Sequence, residues 1–487
     1  MIELLPMGDR AVIVAAMSDP AAWAGAAAQI PQSDHFSAVP AAETVLVTCA
    51  SPAVLTRIIP ALRLIDGSMS SQPASGVQVE IPVVYDGADL AELAHVAGLT
   101  IDEVVGLHSS ANYTVAFCGF TAGFAYLRGL PSALQLPRRD SPRTRVPAGA
   151  VAVASGYCAV YPRASPGGWN LIGNTSVTLF DSSADSPALL RPGDLVRFRP
   201  VTSIPQRPEE MRSVRTSSVL SSIAGSFTVI EAGVASSIQD RGRSGFGDLG
   251  VSPSGMVDPA LGGAINRFVG NDPETALLET TGGLIVRADR PIVVASSETI
   301  APTVLAVGDT FRVAGGAGRR WHYLAVRGGV TVDRVLGSSS TDTLSGLGPP
   351  PLTAGQSFSV GADPGGPVAD AAPVPPLGST VRITPGPRID WCAPDAFDAL
   401  LSSTCTVSQA SRIGIRIRGP RLARVRDLEL PSEGLIRGAV QMVPSGELVM
   451  MLADHPTTGG YPVVAVVHPD DVHKVAQRET FTFTFRS

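Results

Sequence analysis

The sequence predicts a mainly β protein with some α-helix (α+β), in which β-barrel-like units follow a small α+β domain at the N-terminus. Three observations lead to this fold class. Gly (50) and Pro (41) are abundant and aromatic residues make up only 5%, a balance typical of many short strands joined by tight turns. Apolar and basic residues alternate from Asp194 to Pro200, as they do in a half-buried strand. The third observation is an internal repeat.

The repeat links two distant parts of the chain. Gly149–Val151 is followed by Ser165–Trp169 and then by a terminal strand that closes the first half. Gly438–Val440 is followed by Thr457–Tyr461 and by a terminal strand over 481–485. Because the order and the rough spacing match, we interpret the two sets as diverged copies of one β-barrel-like unit.

Compositional breaks divide the chain. We expect an α+β domain over 1–78 and a first barrel domain over 79–202. Residues 203–226 are rich in Ser, Pro and charge without apolar periodicity, which predicts a linker. The second half, 227–487, is expected to hold two subdomains on either side of a Pro/Gly-rich hinge near 361–378.

Helix signals are few. Thr100 and Glu103 form a capping-box pattern, and Asp258 followed by Pro259 is typical of a helix start. The predicted helices cover residues 53–64, 89–97, 100–109, 258–269, 393–401 and 469–477.

Composition and charge exclude several classes of protein. The net charge is −6 without a basic run, which disfavours nucleic-acid binding. No uncharged apolar run of about 18 residues predicts a membrane span, and Asp9 and Arg10 interrupt the N-terminal apolar stretch, so we expect no signal peptide. Five cysteines without a CxxC pair, and seven histidines without an HExxH pattern, disfavour disulfides and metal sites. We therefore predict a cytoplasmic protein.

Three segments of the first half combine glycine, aromatic and basic residues. Phe117 to Leu127 alternates glycines with aromatics, which permits close backbone approach beside flat apolar walls. Arg138 to Gly149 is a proline-bounded, arginine-rich loop suited to a carboxylate or phosphate. Ser165 to Gly173 contains a Gly-Gly pair whose N–H groups can cradle an oxygen anion. The same segments are also compatible with a glycine-kinked strand, a solvated loop and a plain turn.

Two segments of the second half gather polar groups. Ser237 to Gly247 places amide, carboxylate and guanidinium groups together. Leu452 to Pro462 sets an Asp beside a hydroxyl pair and a Gly-Gly turn, which suits the orientation of a small polar substrate. A structural turn is the alternative interpretation. No GxxxxGK[ST], GxGxxG or GxSxG motif occurs, so no ATP site is predicted from the residues of this chain.

The motifs of the first half resemble a known family. The stretch from Phe117 to Asp181 is similar to allophanate hydrolase subunit 1, also called KipI-like or the B subunit of 5-oxoprolinase. It carries runs like GFxPGFxYL, PRRxxPRTRVPAGSVAIA and YPxxSPGGWxLIGRT, and Gly8–Ala11 resembles the family's GDxA. Ala122 stands where the family usually has Pro, and Asn174 where it often has Arg.

The stretch from Phe227 to Phe485 resembles allophanate hydrolase subunit 2, also called KipA-like or the C subunit of 5-oxoprolinase. His455 and Pro456 replace the usual Arg-Gln of its ADRQTTGGYP-like run. The other matching runs are Ser237–Gly250, Gly255–Pro259, Tyr323–Asp342, Ser411–Gly414, Ser432–Gly434 and Gln441.

The resemblance implies a fused form of two proteins that are often separate. It implies cyclophilin-like β-barrels and a role in cleaving 5-oxoproline to glutamate with ATP. The expected partner is the A subunit of 5-oxoprolinase, a protein of the LamB/YcsF type, and ATP is expected to bind with its help. The substrate is expected to be a small amide or lactam, and a homo-oligomer is compatible with the resemblance.

Two alternatives stay open. Related carboxyltransferase regions of urea carboxylases move a carboxyl group from biotin to urea; this chain has no Met-Lys-Met site, so a separate biotin carrier would be required. Some relatives resemble a non-catalytic inhibitor and anti-inhibitor of a sensor histidine kinase.

These patterns give a site hypothesis. Arg143 or Arg145 is expected to hold a substrate carboxylate, and the Gly167-Gly168 and Gly459-Gly460 turns to donate N–H groups to an oxyanion. Further substrate-binding candidates are Trp169, Gln239, Asp240, Arg243, Thr457, Thr458 and Tyr461.

The catalytic candidates lie in the second half. Asp454 and Gln441 are expected to orient the lactam or the nucleophile, and Glu433 is the third candidate. No metal ligand is predicted, and biotin is a cofactor only under the carboxyltransferase alternative.

Overall fold

The computed structural model describes residues 2–31, 36–68, 76–205, 225–299, 301–316, 318–369 and 377–485. Most of the predicted linker (206–224) and part of the predicted hinge (370–376) lie outside the described residues. The described parts of the linker (203–205 and 225–226) and of the hinge (361–369 and 377–378) contain neither helix nor strand. The domain boundaries stay predictions.

The N-terminal domain is a four-stranded antiparallel sheet in the order β1-β2-β4-β3. Two helices cover one face, where Trp23 and Ile58 pack against Val12 and Val47. The elements are β1 (Glu3–Pro6), β2 (Ala11–Ala15), α1 (Pro20–Ala27), β3 (Phe36–Pro40), β4 (Val45–Cys49) and α2 (Pro52–Leu64).

A seven-stranded sheet forms the first barrel unit, in the order β12-β9-β10-β7-β6-β13-β5. A bridge between Val84 and Asn174 joins its two edges, and β8 and β11 form a separate two-stranded sheet. The elements are β5 (Gln78–Val83), α3 (Leu90–Ala97), α4 (Ile101–Ser110), β6 (Tyr113–Cys118), β7 (Ala125–Arg128), β8 (Arg143–Val146), β9 (Ala150–Ala154), β10 (Tyr157–Val160), β11 (Ser165–Gly167), β12 (Asn170–Asn174) and β13 (Leu195–Pro200).

The second half starts with two five-stranded sheets, in the orders β20-β17-β14-β23-β22 and β15-β16-β21-β18-β19. This unit is the first of the two subdomains expected in the second half, and the cyclophilin-like description of it stays a prediction. Its elements are β14 (Phe227–Ala232), β15 (Ser236–Gln239), α5 (Pro259–Phe268), β16 (Leu277–Thr280), β17 (Leu284–Ala288), β18 (Ile292–Ser296), β19 (Thr303–Leu305), β20 (Thr310–Val313), β21 (His322–Val326), β22 (Val330–Thr331) and β23 (Ser357–Val360).

The C-terminal unit is a closed barrel in the order β24-β31-β28-β29-β26-β25-β32. The small strands β27 and β30 pair outside it. The elements are β24 (Thr380–Pro385), α6 (Ala396–Ser402), β25 (Thr404–Ala410), β26 (Gly414–Arg418), β27 (Glu433–Gly434), β28 (Ala439–Met442), β29 (Leu448–Met451), β30 (Thr458–Gly459), β31 (Val463–Val467), α7 (Val472–Gln477) and β32 (Thr480–Phe485).

The two seven-stranded units have the same topology. If β5 is matched to β24 and β13 to β32, every neighbour in the first sheet has its counterpart in the second. In both units the first and last strands pair in parallel. Gly149 (φ +84°) and Gly438 (φ +88°) precede equivalent strands, which requires a left-handed turn that glycine adopts readily. The internal repeat predicted from the sequence is confirmed.

Helix starts follow the predicted capping residues. The Thr100 side chain accepts from Glu103 N and Glu103 reaches back to the Thr100 backbone, which completes the capping box. Asp258 accepts from Leu261 N at the start of α5. The sequence missed α1, because Ala-rich 20–27 has no apolar periodicity.

Each domain of the first half packs against a different subdomain of the second half. The N-terminal sheet places Ile13 and Leu46 against Leu435 and Val466 of the C-terminal barrel. The first barrel instead packs on the two-sheet unit of the second half, through a separate apolar cluster. Its buried members are Ala122, Ala188, Leu249, Val251 and Leu347. In the described part of the chain, no helix is long and apolar enough to cross a membrane.

Candidate functional site

The glycine-aromatic segment of the first barrel contacts the second half directly. It forms the turn between β6 and β7. Thr121 Oγ1 donates to Ser345 Oγ (3.0 Å), Ala122 N donates to the same oxygen (3.2 Å), and Gly123 N donates to Leu249 O (2.9 Å). The segment that sequence reasoning singled out for close backbone approach therefore lies at the junction of the two halves.

Gly119 makes the tightest of these approaches. A Cβ at this position would lie 1.9 Å from Thr458 Oγ1, so no larger residue fits without a shift. The next residue, Phe120, has φ +65°, a strained conformation for an aromatic residue. The Oγ1 atoms of Thr457 and Thr458 are buried, and neither has a hydrogen-bond partner among the described residues. Buried hydroxyls without partners are rare, and each calls for a structural or functional explanation.

A buried arginine joins the C-terminal barrel to the two-sheet unit. The Arg412 side chain is 5% exposed and forms ion pairs with Asp454 and Glu279. It also donates to Gly255 O (2.6 Å) and to Gln239 Oε1 (3.1 Å). Burial acts to lower the pKa of Arg412, but the two carboxylates outweigh burial and raise the pKa above its usual value. Arg412 is thus a fixed cation in the interior.

Asp454 is fully buried and accepts five hydrogen bonds. Oδ1 accepts from Ser254 Oγ (2.8 Å) and Arg412 Nη2 (2.9 Å), and Oδ2 accepts from Thr343 N (2.9 Å), Thr343 Oγ1 (2.7 Å) and Arg412 Nε (3.0 Å). Burial acts to raise the pKa of Asp454, yet Arg412 and Thr343 hold it below its usual value. With five hydrogen bonds, the Asp454 carboxylate is a fixed anion that positions the residues around it.

Asp342 lies one residue from Thr343 and was not among the sequence-predicted site residues. Its side chain is 1% exposed. Burial and the negative charge of Asp454 raise the pKa of Asp342 to about 6. The signal was available in the sequence, since Asp342 ends the run beginning at Tyr323 on which the family resemblance rests.

Gln239, Asp240 and Arg243 hold a neighbouring loop. Gln239 Nε2 donates to Ser237 Oγ (2.9 Å) and Thr341 O (3.0 Å). Asp240 accepts from Gly242 N and from three consecutive serines, 338–340. Arg243 donates to Ser340 O and to Val335 O, and its buried Nη1 has no partner within the described residues. In this conformation the first two residues support the loop, and Arg243 keeps one donor for a ligand.

Arg143 and Arg145 are in different environments. Arg143 Nη2 and Arg139 Nη1 both donate to Asp89 Oδ1, at 2.6 and 2.8 Å, whereas the Arg145 side chain is exposed. The pairing with Asp89 occupies part of the Arg143 fork that the sequence assigned to a substrate carboxylate. Trp169 is buried beside Tyr126, with ring centroids 5.5 Å apart.

The C-terminal candidates are close in space. Glu433 pairs with Arg388, and its strand β27 pairs with β30, where Glu433 lies opposite Gly459. Gln441 Nε2 donates to Tyr461 O (2.9 Å). The Tyr461 side chain is 45% exposed and is the accessible end of this group.

The predicted convergence of the two Gly-Gly pairs is not among the described contacts. Gly167 and Gly459 end equivalent short strands, and none of the four glycines, 167–168 and 459–460, has a positive φ. The first glycine of each pair belongs to the small two-stranded sheet of its own half. The contact across the halves instead joins Thr458 to Gly119.

Comparison with known proteins gives two family matches. Residues 2–190 match the carboxyltransferase domain, subdomain C and D, and residues 249–485 match the carboxyltransferase domain, subdomain A and B. Together the two matches cover the C-terminal barrel and the first barrel except its last strand, β13.

Relatives and a solved structure agree with this division. The B subunit of 5-oxoprolinase from Escherichia coli O157:H7 is 56% identical over 125 residues, which is 25% of this chain and 57% of that protein. The aligned part therefore spans little more than half of that relative. The C subunit of 5-oxoprolinase from Escherichia coli (strain K12) is 35% identical over 272 residues, which is 51% of this chain and 86% of that protein.

The crystal structure of the protein TTHA0988 covers 100% of both chains, at 33% identity and a TM-score of 0.84. Its likeness extends over the N-terminal domain, both barrels and the two-sheet unit. The chain therefore belongs to the carboxyltransferase-domain family that includes the B and C subunits of 5-oxoprolinase, with the B-like and C-like parts joined in one polypeptide.

Proposed function

We propose that this chain is the B- and C-like component of an ATP-dependent enzyme that hydrolyses 5-oxoproline, a cyclic amide, to glutamate. The observation that carries the proposal is the junction at Gly119 and Thr458, where a strained glycine-aromatic turn meets unpartnered buried hydroxyls. A junction of two units lined by a few convergent polar groups is a typical place for a small-molecule site.

Polar groups at this junction, together with Arg243, which holds the loop at 335–340, suit a small lactam that carries a carboxylate. The hydroxyls of Thr457 and Thr458 can hydrogen-bond the ring amide, and the free Nη1 of Arg243 offers a charge-assisted donor. The Asp454–Arg412 pair fixes the loop that carries Thr343, so these groups are held in place before a ligand binds.

Four of the described helices have N-termini closed by their own capping side chains, and three, α3, α6 and α7, begin without one. An open helix N-terminus is a ready-made phosphate site. The capping side chains of α1, α2, α4 and α5 are those of Asp19, Ser51, Thr100 and Asp258. We derive no step through ATP in this chain and propose that its site is supplied by a separate protein of the LamB/YcsF type, the A subunit of the enzyme.

Biotin-dependent carboxyl transfer is the second candidate function. Both matching families are described as carboxyltransferase domains, and a small amide such as urea would meet the same polar groups. A purified biotin carrier protein that binds this chain and loses its carboxyl group to urea would favour this alternative.

One reconstitution separates the two candidates. The purified chain is mixed with a candidate LamB/YcsF-type partner, ATP and 5-oxoproline, and glutamate and ADP are measured together with each component omitted in turn. We expect both products only when this chain, the partner and ATP are all present. Equal turnover without this chain would overturn the proposal. A cytoplasmic location and homo-oligomerisation stay predictions.

A further inference from the structure

Asp342 presents one free carboxylate oxygen in the interior. Oδ1 accepts hydrogen bonds from the backbone N–H groups of Leu344 (2.9 Å) and Ser345 (3.0 Å). Oδ2 is buried and has no hydrogen-bond partner in the described ranges of the chain. A charged oxygen in such a setting is strongly unfavourable. The free oxygen therefore carries a proton or meets a ligand.

The neighbouring carboxylate, Asp454, has hydrogen-bond partners on both of its oxygens. Asp454 is held as an anion by Arg412 and Thr343 and repels a second negative charge on Asp342. Two cations, Arg243 and Arg163, attract the Asp342 carboxylate, and they reduce the rise in its pKa without reversing it. Two carboxylates whose environments push their pKa values apart are a common arrangement of a proton donor beside a fixed anion.

We propose that Asp342 is the catalytic acid of this site and gives its proton to the amide nitrogen that leaves when the lactam ring opens. The inference rests on the proposed function. Water adds to the ring carbonyl carbon through a new C–O bond, and the C–N bond breaks with its electron pair going to nitrogen. Nitrogen takes the proton from Asp342 Oδ2, and the proton that water loses returns to the Asp342 carboxylate.

The contact between the halves controls access to Asp342. Ser345 Oγ accepts hydrogen bonds from Thr121 and Ala122 of the first barrel. The preceding residue is held in the same way, because Arg163 Nη1 donates to Leu344 O (2.7 Å). Since Asp342 is buried in this closed arrangement, substrate enters when these contacts part. Their re-formation then excludes bulk water from the reacting amide.

The test compares Asp342→Asn with the wild-type chain in the full assembly with its LamB/YcsF-type partner and ATP. General acid catalysis contributes about 10²- to 10⁴-fold. We expect Asp342→Asn to lower kcat for 5-oxoproline by at least about 100-fold with little change in KM, and to remove the alkaline fall of kcat controlled by this acid. Asp342→Glu keeps an acid and is expected to retain part of kcat and that fall.

A matched control changes the same loop without the acid. Ser345→Ala removes the hydroxyl that meets Thr121 but keeps the backbone N–H that holds Asp342. We expect it to change KM while the shape of the pH profile stays as in wild type. Wild-type kcat and pH profile in Asp342→Asn would overturn this inference alone, whereas no turnover by the wild-type assembly would overturn the proposed function and this inference with it. Circular dichroism of each variant confirms that it folds.

Discussion

Arg412 donates two hydrogen bonds to the carboxylate of Asp454, from Nη2 to Oδ1 (2.9 Å) and from Nε to Oδ2 (3.0 Å). The same guanidinium contacts Glu279 of the two-sheet unit, so one cation is shared by two fully buried carboxylates. Arg412 belongs to the C-terminal barrel and Glu279 to the two-sheet unit. The loop at Thr343, which donates to Asp454, is therefore positioned by both subdomains of the second half.

Removing this cation should destabilise the second half. Arg412→Met leaves two buried carboxylates without the cation that they share, and breaking a buried ion pair from one side costs about 3–5 kcal/mol. We expect a clear fall in the urea midpoint of unfolding, followed by tryptophan fluorescence.

The exposed pair Arg416–Glu447 provides the control. The charged atoms of this pair are 3.7 Å apart, and the side chains are 55% and 43% exposed. Surface pairs contribute about 0–1 kcal/mol, so Arg416→Ala should leave the midpoint nearly unchanged. An Arg412→Met variant as stable as wild type would contradict the structural role.

The fold was largely predictable from local signals. The repeat at Gly149 and Gly438 was visible because both copies keep a glycine before the same strand, and the Thr100 capping box is encoded within four residues. The sequence predicted two subdomains in the second half but not the strand pairing of the first one, because pairing between distant segments, such as Ser236 with Thr280, leaves no short-range pattern.

The contact of Gly119 with Thr458 gives a second prediction. In Gly119→Ala the added Cβ overlaps Thr458, and overpacking of this kind costs roughly 1–3 kcal/mol. Thr458→Ala removes the Oγ1 and Cγ2 atoms that would lie at 1.9 and 2.9 Å. The double variant should therefore recover most of the stability lost in Gly119→Ala, as measured by thermal midpoints in a double-mutant cycle.

Gly156→Ala is the matched control, because no atom lies within 4 Å of a Cβ added there. Its thermal midpoint should stay near that of wild type. Strictly additive effects of Gly119→Ala and Thr458→Ala would show that the two residues do not contact in solution.

Arg143 gives a third prediction, which distinguishes a structural from a substrate-binding role. Its ion pair with Asp89 has a charge-reversed counterpart in the second barrel, where Arg388 pairs with Glu433 of the equivalent short strand. We expect Arg143→Ala to destabilise the first barrel by roughly 1–3 kcal/mol, because Asp89 is buried and loses a partner. The exposed Arg145→Ala should change the urea midpoint little. A raised KM for 5-oxoproline without loss of stability in Arg143→Ala would instead support the substrate-carboxylate role.

The site was harder to predict than the fold. Sequence reasoning selected Asp454, Gln239 and Arg243, which the structure brings together, but it gave no role to Arg412 or Asp342. Their partners are far away in the chain: Arg412 contacts Glu279 across 133 residues. A buried charge is recognisable only from its environment, and no spacing rule supplies that environment before the fold is known.

His108 gives a prediction for acidic pH. It is buried between Tyr85 and Cys158, with its Nδ1 2.7 Å from Tyr85 Oη, and burial lowers the pKa of His108 to about 3. In the unfolded chain, His108 takes up a proton at a higher pH than in the folded chain. The stability that neutral His108 contributes is therefore present above pH 6.5 and is lost as the pH falls. Between pH 6.5 and 5 we expect a loss of about 2 kcal/mol. This loss should disappear in His108→Gln, measured by urea titrations at each pH; an unchanged slope would exclude His108 as the cause.

Asp342 gives the opposite dependence of stability on pH. Its pKa is raised from 3.8 to about 6, first by burial and then by Asp454. The folded chain therefore holds this proton more tightly, and the stability it contributes is present below pH 3.8 and lost as pH rises to 6, by roughly 3 kcal/mol. In Asp342→Asn this loss should be absent, so the variant gains stability relative to wild type between pH 4 and 7.

Asp454→Asn separates this effect from general disturbance of the loop. Arg412 and Thr343 hold the pKa of Asp454 low, so its carboxylate stabilises the fold above pH 3.8 and the variant should lose stability at pH 7. Opposite signs for the two asparagine variants at pH 7 would follow only if one carboxylate is held as an anion and the other resists ionisation. If both variants lose stability equally at pH 7, Asp342 is an ordinary ionised carboxylate, and the free oxygen seen in the structure has a partner in solution.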